Sequence, residues 1–397
     1  MSDVKDVAHG NRANAYTALI LSTLAMIVCF MSWSNFAPLA SQVAKMFNLS
    51  VAERTLLLAT PVLLGSIMRI PVGILSDRYG GKKVYLILMA FILIPLIMIP
   101  HVHSFGMLLF AALLVGMSGT SFAVGVSYAS VWFPAEQQGL ALGIVSMGNM
   151  GNAVAAMTLP YISKAAGFDA VYYFLIILTI IFGLLFAIFC KEMPVDKSKT
   201  IAGALSVTKD GGTWYLSLFY FLTFGLFVSF TNLTPTFLTG MFKYNPVTAG
   251  LYSALFAFVC TLVRPLGGYI ADKKRPMGIL QWVFVAIVIF TFLIMASFHH
   301  EGMFIAGIVL VGLAAGIGNG VVFKMVPYVS KGNTGAVTGF VGAIGGLGGF
   351  FPPLVIGYIY QWTGSYELGL ALLALTGLIC WFALWKHYIH GNVYIVK

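Results

Sequence analysis

Two arginines, Arg69 and Arg264, each lie inside a long apolar stretch, in the contexts SIMRIP and TLVRPL. An arginine near the centre of a membrane-spanning helix costs on the order of 3 kcal/mol, so such a residue is usually retained for a task. Its guanidinium is planar, permanently charged and carries its donors in a fork, a shape that matches a planar oxyanion. The pair therefore predicts a site for an anionic substrate.

Two ordinary interpretations of these arginines are weaker. Each precedes the end of its predicted span, marked by Asp77 or Asp272, by about two helical turns, and this depth makes snorkelling to the interface awkward. An ion pair with a buried acid is not available to either arginine, because no predicted span has Asp or Glu at its centre. The seven histidines also lie in loops or near the chain termini. The span centres therefore show no side-chain proton relay.

The composition indicates the elements that position these residues. Hydrophobic residues make up 60% of the 397 and charged residues 9%, against roughly 25% charged in soluble domains. A spanning helix needs about 20 apolar residues, and the chain has twelve such stretches. The predicted fold is thus an all-α membrane protein with twelve transmembrane helices, with cores at 15–40, 51–76, 84–100, 106–133, 138–162, 171–190, 214–240, 247–271, 278–298, 303–327, 334–361 and 366–386.

The cations are distributed unequally between the two sides of the predicted membrane. Of the 22 Lys and Arg, sixteen fall on the side of the N terminus and the even-numbered connections, and only four on the other side: Lys45, Arg54, Lys164 and Lys243. By the positive-inside rule this predicts a multi-pass protein of the cell membrane with both termini in the cytoplasm. The bias also explains the net charge of +10 without a nucleic-acid partner.

Three patterns recur at an offset of 195 or 196 residues: Arg69-x3-Gly73-x3-Asp77 as Arg264-x3-Gly268-x3-Asp272, Val115-Gly116 as Val311-Gly312, and Gly139-x3-Gly143 as Gly335-x3-Gly339. We therefore expect two six-helix pseudo-repeats, residues 1–191 and 213–397, joined by a polar cytoplasmic linker at 192–212. In parallel repeats of this kind the substrate site lies between the halves near the midplane.

Other candidate residues have an ordinary alternative. Asn149 and Asn319 lie in glycine-rich stretches, which could simply allow close helix packing, but a buried amide needs partners and could line the path. Lys324 lies near the cytoplasmic end of its span, where snorkelling is the usual behaviour. The cysteines, Cys29, Cys190, Cys260 and Cys380, lack disulfide or zinc spacing and are expected to be small buried hydrophobes, so we expect no metal and no cofactor.

The sequence resembles a known family in several stretches. The loop Gly73-Ile-Leu-Ser-Asp77-Arg78-Tyr-Gly-Gly-Lys-Lys is similar to the cytoplasmic loop motif of the major facilitator superfamily, with a weaker echo at Gly268 to Lys274. Within it, SMGNMGNAV, AGIGNGVVFKMVP, LFYFLTFG, GGLGGFFPPL and the two arginine contexts resemble the nitrate/nitrite porter family. The resemblance implies that Arg69 and Arg264 hold the anion, that Phe122 and Tyr220 contact it, and that Asn149 and Asn319 belong to signature helices.

The expected function is therefore transport of nitrate or nitrite by alternating access, without enzymatic activity. Proton-coupled nitrate uptake is the first expectation, with Lys324 a candidate coupling residue and Gly73, Asp77, Arg78 and Asp272 gating the cytoplasmic face. Nitrite extrusion, nitrate/nitrite antiport and transport of another small monovalent anion stay open. We expect a monomer in the lipid bilayer. An intramembrane enzyme would need a cluster of buried catalytic groups, and the sequence shows none. A transporter-like receptor would need a large signalling domain, for which we expect no room in the chain.

Overall fold

The computed structural model describes residues 12–134, 136–193, 205–330 and 333–390, and within these ranges it contains helices and no strands. Within the described residues, twelve helices are long and apolar enough to cross a membrane, which confirms the predicted number of spans. They are α1 (Arg12–Met46), α2 (Leu56–Tyr79), α3 (Gly81–His101), α4 (Phe105–Ser130), α5 (Gln138–Ala166), α6 (Phe168–Phe189), α7 (Gly211–Gly240), α8 (Thr248–Lys273), α9 (Pro276–Ala296), α10 (Glu301–Val329), α11 (Thr334–Thr363) and α12 (Glu367–Tyr388).

Part of the predicted organisation lies outside the described residues. Residues 194–204 of the predicted linker are among these, as are Lys5, Lys331 and Lys397, which contribute to the predicted charge bias. The four cysteines are buried, as predicted for small apolar side chains.

Several spans consist of shorter helical pieces, and the interruptions have local causes. The helix Val51–Ile67 ends just before the helix Arg69–Tyr79, and Pro246–Leu262 ends just before Arg264–Lys273. Pro71 and Pro265 follow the two arginines, and each removes an N–H that would otherwise bond the carbonyl four residues earlier. Each arginine therefore begins a new helical segment in mid-span.

Glycine-rich stretches interrupt α4 and α5 with tighter turns. The 3₁₀ segments are Gly116–Thr120 in α4 and Met147–Met150 in α5. At Gly116, an added Cβ would lie 2.8 Å from the carbonyl oxygen of Pro61. The glycine thus allows α4 to approach α2 at backbone distance, a contact that a side chain would prevent.

The described residues form two compact units. The first comprises those within Met1–Pro134, Ile144–Val207 and Asn333–Ala343, and the second those within Ala135–Gly143, Thr208–Gly332 and Ile344–Lys397. The units differ from the sequence halves mainly by two short segments, because the start of α11 clusters with the first unit and the start of α5 with the second.

Glycine contacts explain why these two segments cluster as they do. In the first unit, a Cβ on Gly73 would lie 2.2 Å from the Gly335 carbonyl oxygen, and one on Gly339 would lie 2.3 Å from the Arg69 carbonyl oxygen. In the second unit, a Cβ on Gly268 would lie 1.9 Å from the Gly139 carbonyl oxygen, and one on Gly143 would lie 2.9 Å from the Arg264 carbonyl oxygen. The two repeated glycine motifs are therefore the two sides of one packing contact, which occurs once in each unit.

Candidate anion-binding site

The Arg69 side chain is fully buried in the first unit, with an exposure of 0%. Its Nε donates to the carbonyl oxygen of Gly119 at 3.1 Å, and its Nη1 donates to the carbonyl oxygen of Gly342 at 2.7 Å. The guanidinium carbon lies 5.3 Å from the centroid of the Phe122 ring. The carbonyl dipoles orient the fork without contributing a full negative charge, and the ring adds a cation–π contact.

Two backbone features give Arg69 these partners. Gly119 belongs to the 3₁₀ segment of α4, and its carbonyl is directed at the guanidinium. On α11, a Cβ at Gly342 would lie 3.1 Å from Cδ of Arg69 and 3.7 Å from Cδ1 of Phe122. Gly342 therefore leaves the space in which the arginine and the aromatic ring meet.

The Arg264 side chain is equally buried, in the second unit, but it has a different environment. Its guanidinium carbon lies 5.0 Å from the ring centroid of Phe227 and 5.8 Å from that of Phe224. Tyr220 stacks on Phe224 with centroids 5.0 Å apart, and a Cβ at Gly345 would lie 2.2 Å from Cδ1 of Tyr220. Because these aromatic residues recur at helical spacing on α7, they form one face toward Arg264.

The two predicted asparagines are both buried. Asn149 is 0% exposed and lies in the 3₁₀ segment of α5, whose Gly148 packs on Met26 of α1. Asn319 on α10 is 1% exposed, and neither its Oδ1 nor its Nδ2 has a hydrogen-bond partner among the described residues. An unsatisfied buried amide costs about 1–3 kcal/mol, so Asn319 is suited to a polar ligand or an ordered water.

The two motif aspartates cap helix N termini. Asp77 accepts hydrogen bonds from the backbone N–H groups of Gly335 and Ala336, both at 2.9 Å, at the start of α11. Asp272 accepts in the same way from Gly139 at 2.9 Å and Leu140 at 2.8 Å, at the start of α5. A carboxylate at this end of a helix is stabilised by the free N–H groups and the helix dipole.

The aspartates differ in their side-chain partners. Asp77 accepts from Oγ of Ser127 at 3.3 Å, whereas Asp272 forms an ion pair with Nζ of Lys324 at 2.6 Å. The snorkelling interpretation of Lys324 is therefore wrong, since its side chain is only 2% exposed. The Asp272 carboxylate, 52 residues earlier in the chain, is the partner that holds this ammonium inside the protein.

Arg78, the last of the predicted motif residues, lies with its guanidinium carbon 5.4 Å from the ring centroid of its neighbour Tyr79. Tyr79 is exposed, at 49%. This contact belongs to the end of α2 and not to the buried surroundings of Arg69.

Glu53 and Tyr244 are among the titratable groups outside the spans that have shifted pKa values. Hydrogen bonds from the Ser50 side chain and backbone hold the pKa of Glu53 below its ordinary value. Hydrogen bonding to the Glu301 carboxylate and to Tyr252 raises the pKa of the Tyr244 hydroxyl. Both groups stabilise helix ends, Glu53 at the start of the helix Val51–Ile67 and Tyr244 against the first residue of α10.

The sequence pointed to the arginines, Phe122 and Tyr220 but not to several of their neighbours. Phe224 and Phe227 follow Tyr220 at spacings of four and seven, so helical periodicity on α7 could have revealed them. The carbonyls of Gly119 and Gly342 had no such signal, because every residue has a carbonyl. Each unit thus contains a buried guanidinium beside aromatic rings, an arrangement that can bind an anion on a membrane-spanning scaffold.

Comparisons with known proteins indicate that the class of protein is a membrane transporter. Residues 22–353 match the family model described as Major Facilitator Superfamily. A nitrite extrusion protein of Bacillus subtilis (strain 168) is 37% identical over 91% of this chain and 91% of its own. A protein of Staphylococcus epidermidis, named "Probable nitrate transporter NarT", is 37% identical over 93% of this chain and 95% of its own.

Solved structures show the same fold at low sequence identity. The proton:xylose symporter XylE has a TM-score of 0.79 at 13% identity, covering 95% of this chain and 96% of its own. The human organic anion transporter MFSD10 has a TM-score of 0.77 at 14% identity, covering 93% and 99%. The chain belongs to the major facilitator superfamily and, within it, to the nitrate/nitrite porter family. It is a multi-pass membrane transporter with two six-helix pseudo-repeats, and it is not an enzyme.

Proposed function

We propose that this protein carries nitrate or nitrite across the membrane by alternating access, with Arg69 and Arg264 as its anion-binding groups. The observation that carries the proposal is the presence of two fully buried guanidiniums, one beside Phe122 and the other beside Phe224 and Phe227. Burial of such a charge is costly in a protein that does not use it. The names of the relatives, a nitrite extrusion protein and a nitrate transporter, support the choice of anion.

The surrounding residues have roles that fit this chemistry. Phe122 and Tyr220 are proposed to flank the planar anion, and Asn149 and Asn319 to donate amide hydrogen bonds along its path. A binding site that excludes water strengthens each charge-assisted hydrogen bond. Gly73, Asp77, Arg78 and Asp272 are proposed to stabilise one closed state at the cytoplasmic face.

Proton-coupled nitrate uptake is the proposed mode. Uptake of an anion against a negative-inside potential costs about 2.3 kcal/mol per charge for each 100 mV, and two or more protons per anion reverse that sign. Lys324 is the proposed coupling residue, because it is a buried titratable group in an ion pair. The name of the Bacillus subtilis relative favours nitrite extrusion or nitrate/nitrite exchange as the second candidate.

The test is anion flux in proteoliposomes containing the purified protein. Uptake of nitrate and nitrite is measured with formate and chloride as competitors, while internal pH is recorded. We expect nitrate entry to acidify the liposome interior, with no stimulation by internal nitrite. Strict dependence on internal nitrite would replace symport with exchange, and transport of formate in preference to both anions would overturn the proposed substrate.

Orientation and oligomeric state are part of the same proposal. We propose a monomer. We also propose that both termini lie in the cytoplasm, on the basis of the charge bias between loops. Single cysteines at positions 198 and 365, in a cysteine-free background, should differ in labelling by an impermeant thiol reagent. Labelling of position 198 from outside intact cells would contradict this orientation.

The proton pathway has its own test. Because no span centre contains an acid, replacing Glu53, Glu136 or Glu367 by Gln should leave proton flux intact. Loss of proton flux in any one of them, with anion exchange retained, would identify a carboxylate relay and remove Lys324 from the proposal.

A further inference from the structure

Trp33, in α1, contacts α2, which carries Arg69, and α4, which carries a hydrogen-bond acceptor of Arg69. Its side chain is 5% exposed, and its Nε1 donates to the carbonyl oxygen of Pro61 on α2 at 3.0 Å. A Cβ on Gly65 of α2 would lie 2.8 Å from Nε1 of Trp33. One on Gly119 of α4 would lie 2.9 Å from the same nitrogen and 3.1 Å from ring carbons Cδ1 and Cε2.

The indole therefore lies against two glycines that have no room for a side chain. One of them, Gly119, supplies the carbonyl that accepts from Nε of Arg69. Gly119 also belongs to the 3₁₀ segment, where backbone hydrogen bonding is less regular than in an α-helix, so its carbonyl needs support from its surroundings. The chain of contacts runs from Pro61 through Trp33 and Gly119 to the guanidinium.

We infer that Trp33 is a positioning residue for Arg69: the indole N–H fixes the ring on α2, and the ring fixes the Gly119 carbonyl that orients the guanidinium fork. This inference rests on the proposed role of Arg69 in binding the anion. It assigns Trp33 a role in affinity that ordinary core packing would not give it, because the effect passes through a single carbonyl and a single donor.

The second sequence half has a different residue at the position equivalent to Trp33. The offset of 195 that relates Arg69 to Arg264 places Val228 at the position of Trp33. Arg264 instead lies beside Phe224 and Phe227. The positioning effect should therefore be specific to Arg69, which gives the test an internal control.

The first experiment replaces Trp33 by Phe, which keeps an aromatic ring and removes the indole N–H. The loss of one hydrogen bond corresponds to about a 2- to 10-fold rise in KM for nitrate, with the maximal rate per folded molecule unchanged. Trp132→Phe is the matched control, because Trp132 is also buried but packs on Tyr128. A lower maximal rate with normal KM in Trp33→Phe would show ordinary packing and overturn the inference.

Double mutants test whether the effect acts through Arg69. In an Arg69→Lys background, which lacks the Nε donor, Trp33→Phe should no longer change KM, whereas in an Arg264→Lys background it should still raise KM. Equal effects in both backgrounds would overturn the inference while leaving the proposed function intact. Normal nitrate KM in both Lys single mutants would instead refute the proposed function.

Gly119→Ala provides an independent variant if Trp33→Phe folds poorly. The added methyl would displace the Trp33 ring, so a similar rise in KM should appear, and it should again vanish with Arg69→Lys. Thermal unfolding is measured for every variant. A Gly119→Ala protein that folds and has wild-type KM would also overturn the inference.

Discussion

The two buried arginines occupy equivalent positions in the repeat and lie beside different aromatic residues. Arg69 donates to the carbonyls of Gly119 and Gly342 and lies beside Phe122, whereas the rings beside Arg264 include Phe224 and Phe227 of α7. The packing around them is the same in kind, since each motif meets a glycine pair from a span of the other sequence half. The two repeats therefore share the backbone contact between the arginine motif and the glycine pair, and they differ in the side chains around the arginine.

The same divergence appears at the two motif aspartates. Both cap a helix N terminus through two backbone N–H groups, but Asp272 also pairs with Lys324, whereas Asp77 accepts from the neutral hydroxyl of Ser127. The side chain that contacts the aspartate is thus a lysine at Asp272 and includes a serine hydroxyl at Asp77. Four predictions separate what the two regions share from what distinguishes them.

The largest expected effect is at the ion pair. Lys324→Met leaves the Asp272 carboxylate buried without its cation, and breaking such a pair costs about 3–5 kcal/mol in free energy of unfolding. Ser127→Ala, the matched deletion at Asp77, should cost about 1 kcal/mol. Both are measured by unfolding of the purified proteins. Combining Lys324→Met with Asp272→Asn should recover part of the loss, and equal losses in the two single variants would remove the distinction between the regions.

The next effect concerns the arginines themselves. Arg69→Lys and Arg264→Lys keep the charge and remove the planar fork, so each should lose a charge-assisted bond of roughly 1.5–3 kcal/mol, or about 10- to 150-fold in nitrate affinity. Nitrate binding is measured beside thermal unfolding, and we expect both variants to fold. If both bind nitrate normally, the arginines are not the anion site; if both only unfold, they are structural.

A smaller effect tests what the two regions share. Gly335→Ala and Gly139→Ala place a Cβ at 2.4 Å and 2.3 Å from the carbonyl oxygens of Gly73 and Gly268. Overpacking of this kind should reduce the free energy of unfolding by about 1–3 kcal/mol in each. Gly357→Ala, on α11 with open space around its Cβ, is the control and should be neutral or stabilising. Unequal losses would show that the glycine contact is not equivalent in the two units.

The smallest effect is at the starts of the helices that lead to the arginines. Ser50 and Glu53 form a capping box for the first, whereas the Asn245 side chain caps the second by accepting from Thr248 N–H at 2.9 Å. The pKa of Glu53 is lower in the folded than in the unfolded protein. The stability that its carboxylate contributes is therefore fully present above the unfolded-state pKa of about 4.3 and is lost as pH falls through the folded-state pKa.

Acidification below about pH 4.3 should therefore reduce hydrogen-exchange protection in the first turn after Ser50 and leave the turn after Asn245 unchanged. Glu53→Gln should abolish the pH dependence at the first site. Parallel loss of protection at both caps would indicate general acid unfolding and not titration of this carboxylate.

The sequence by itself determined the elements of this protein. Bilayer thickness fixes the length of a spanning helix, so composition alone gave twelve spans, and the cost of a buried charge singled out Arg69 and Arg264. The repeat of the glycine and aspartate motifs was also visible. These are local or periodic signals, and each can be read without knowing which helices meet.

Only the tertiary structure decided the partners. The Nη1 of Arg69 bonds a carbonyl 273 residues away, and Asp272 caps a helix whose first N–H groups lie 133 and 132 residues earlier. The sequence placed Lys324 at an interface, whereas packing buries it against Asp272. A backbone carbonyl has no sequence signature, and nothing in the order of residues states which glycine faces which, because these contacts form only when helices from distant parts of the chain pack at backbone distance.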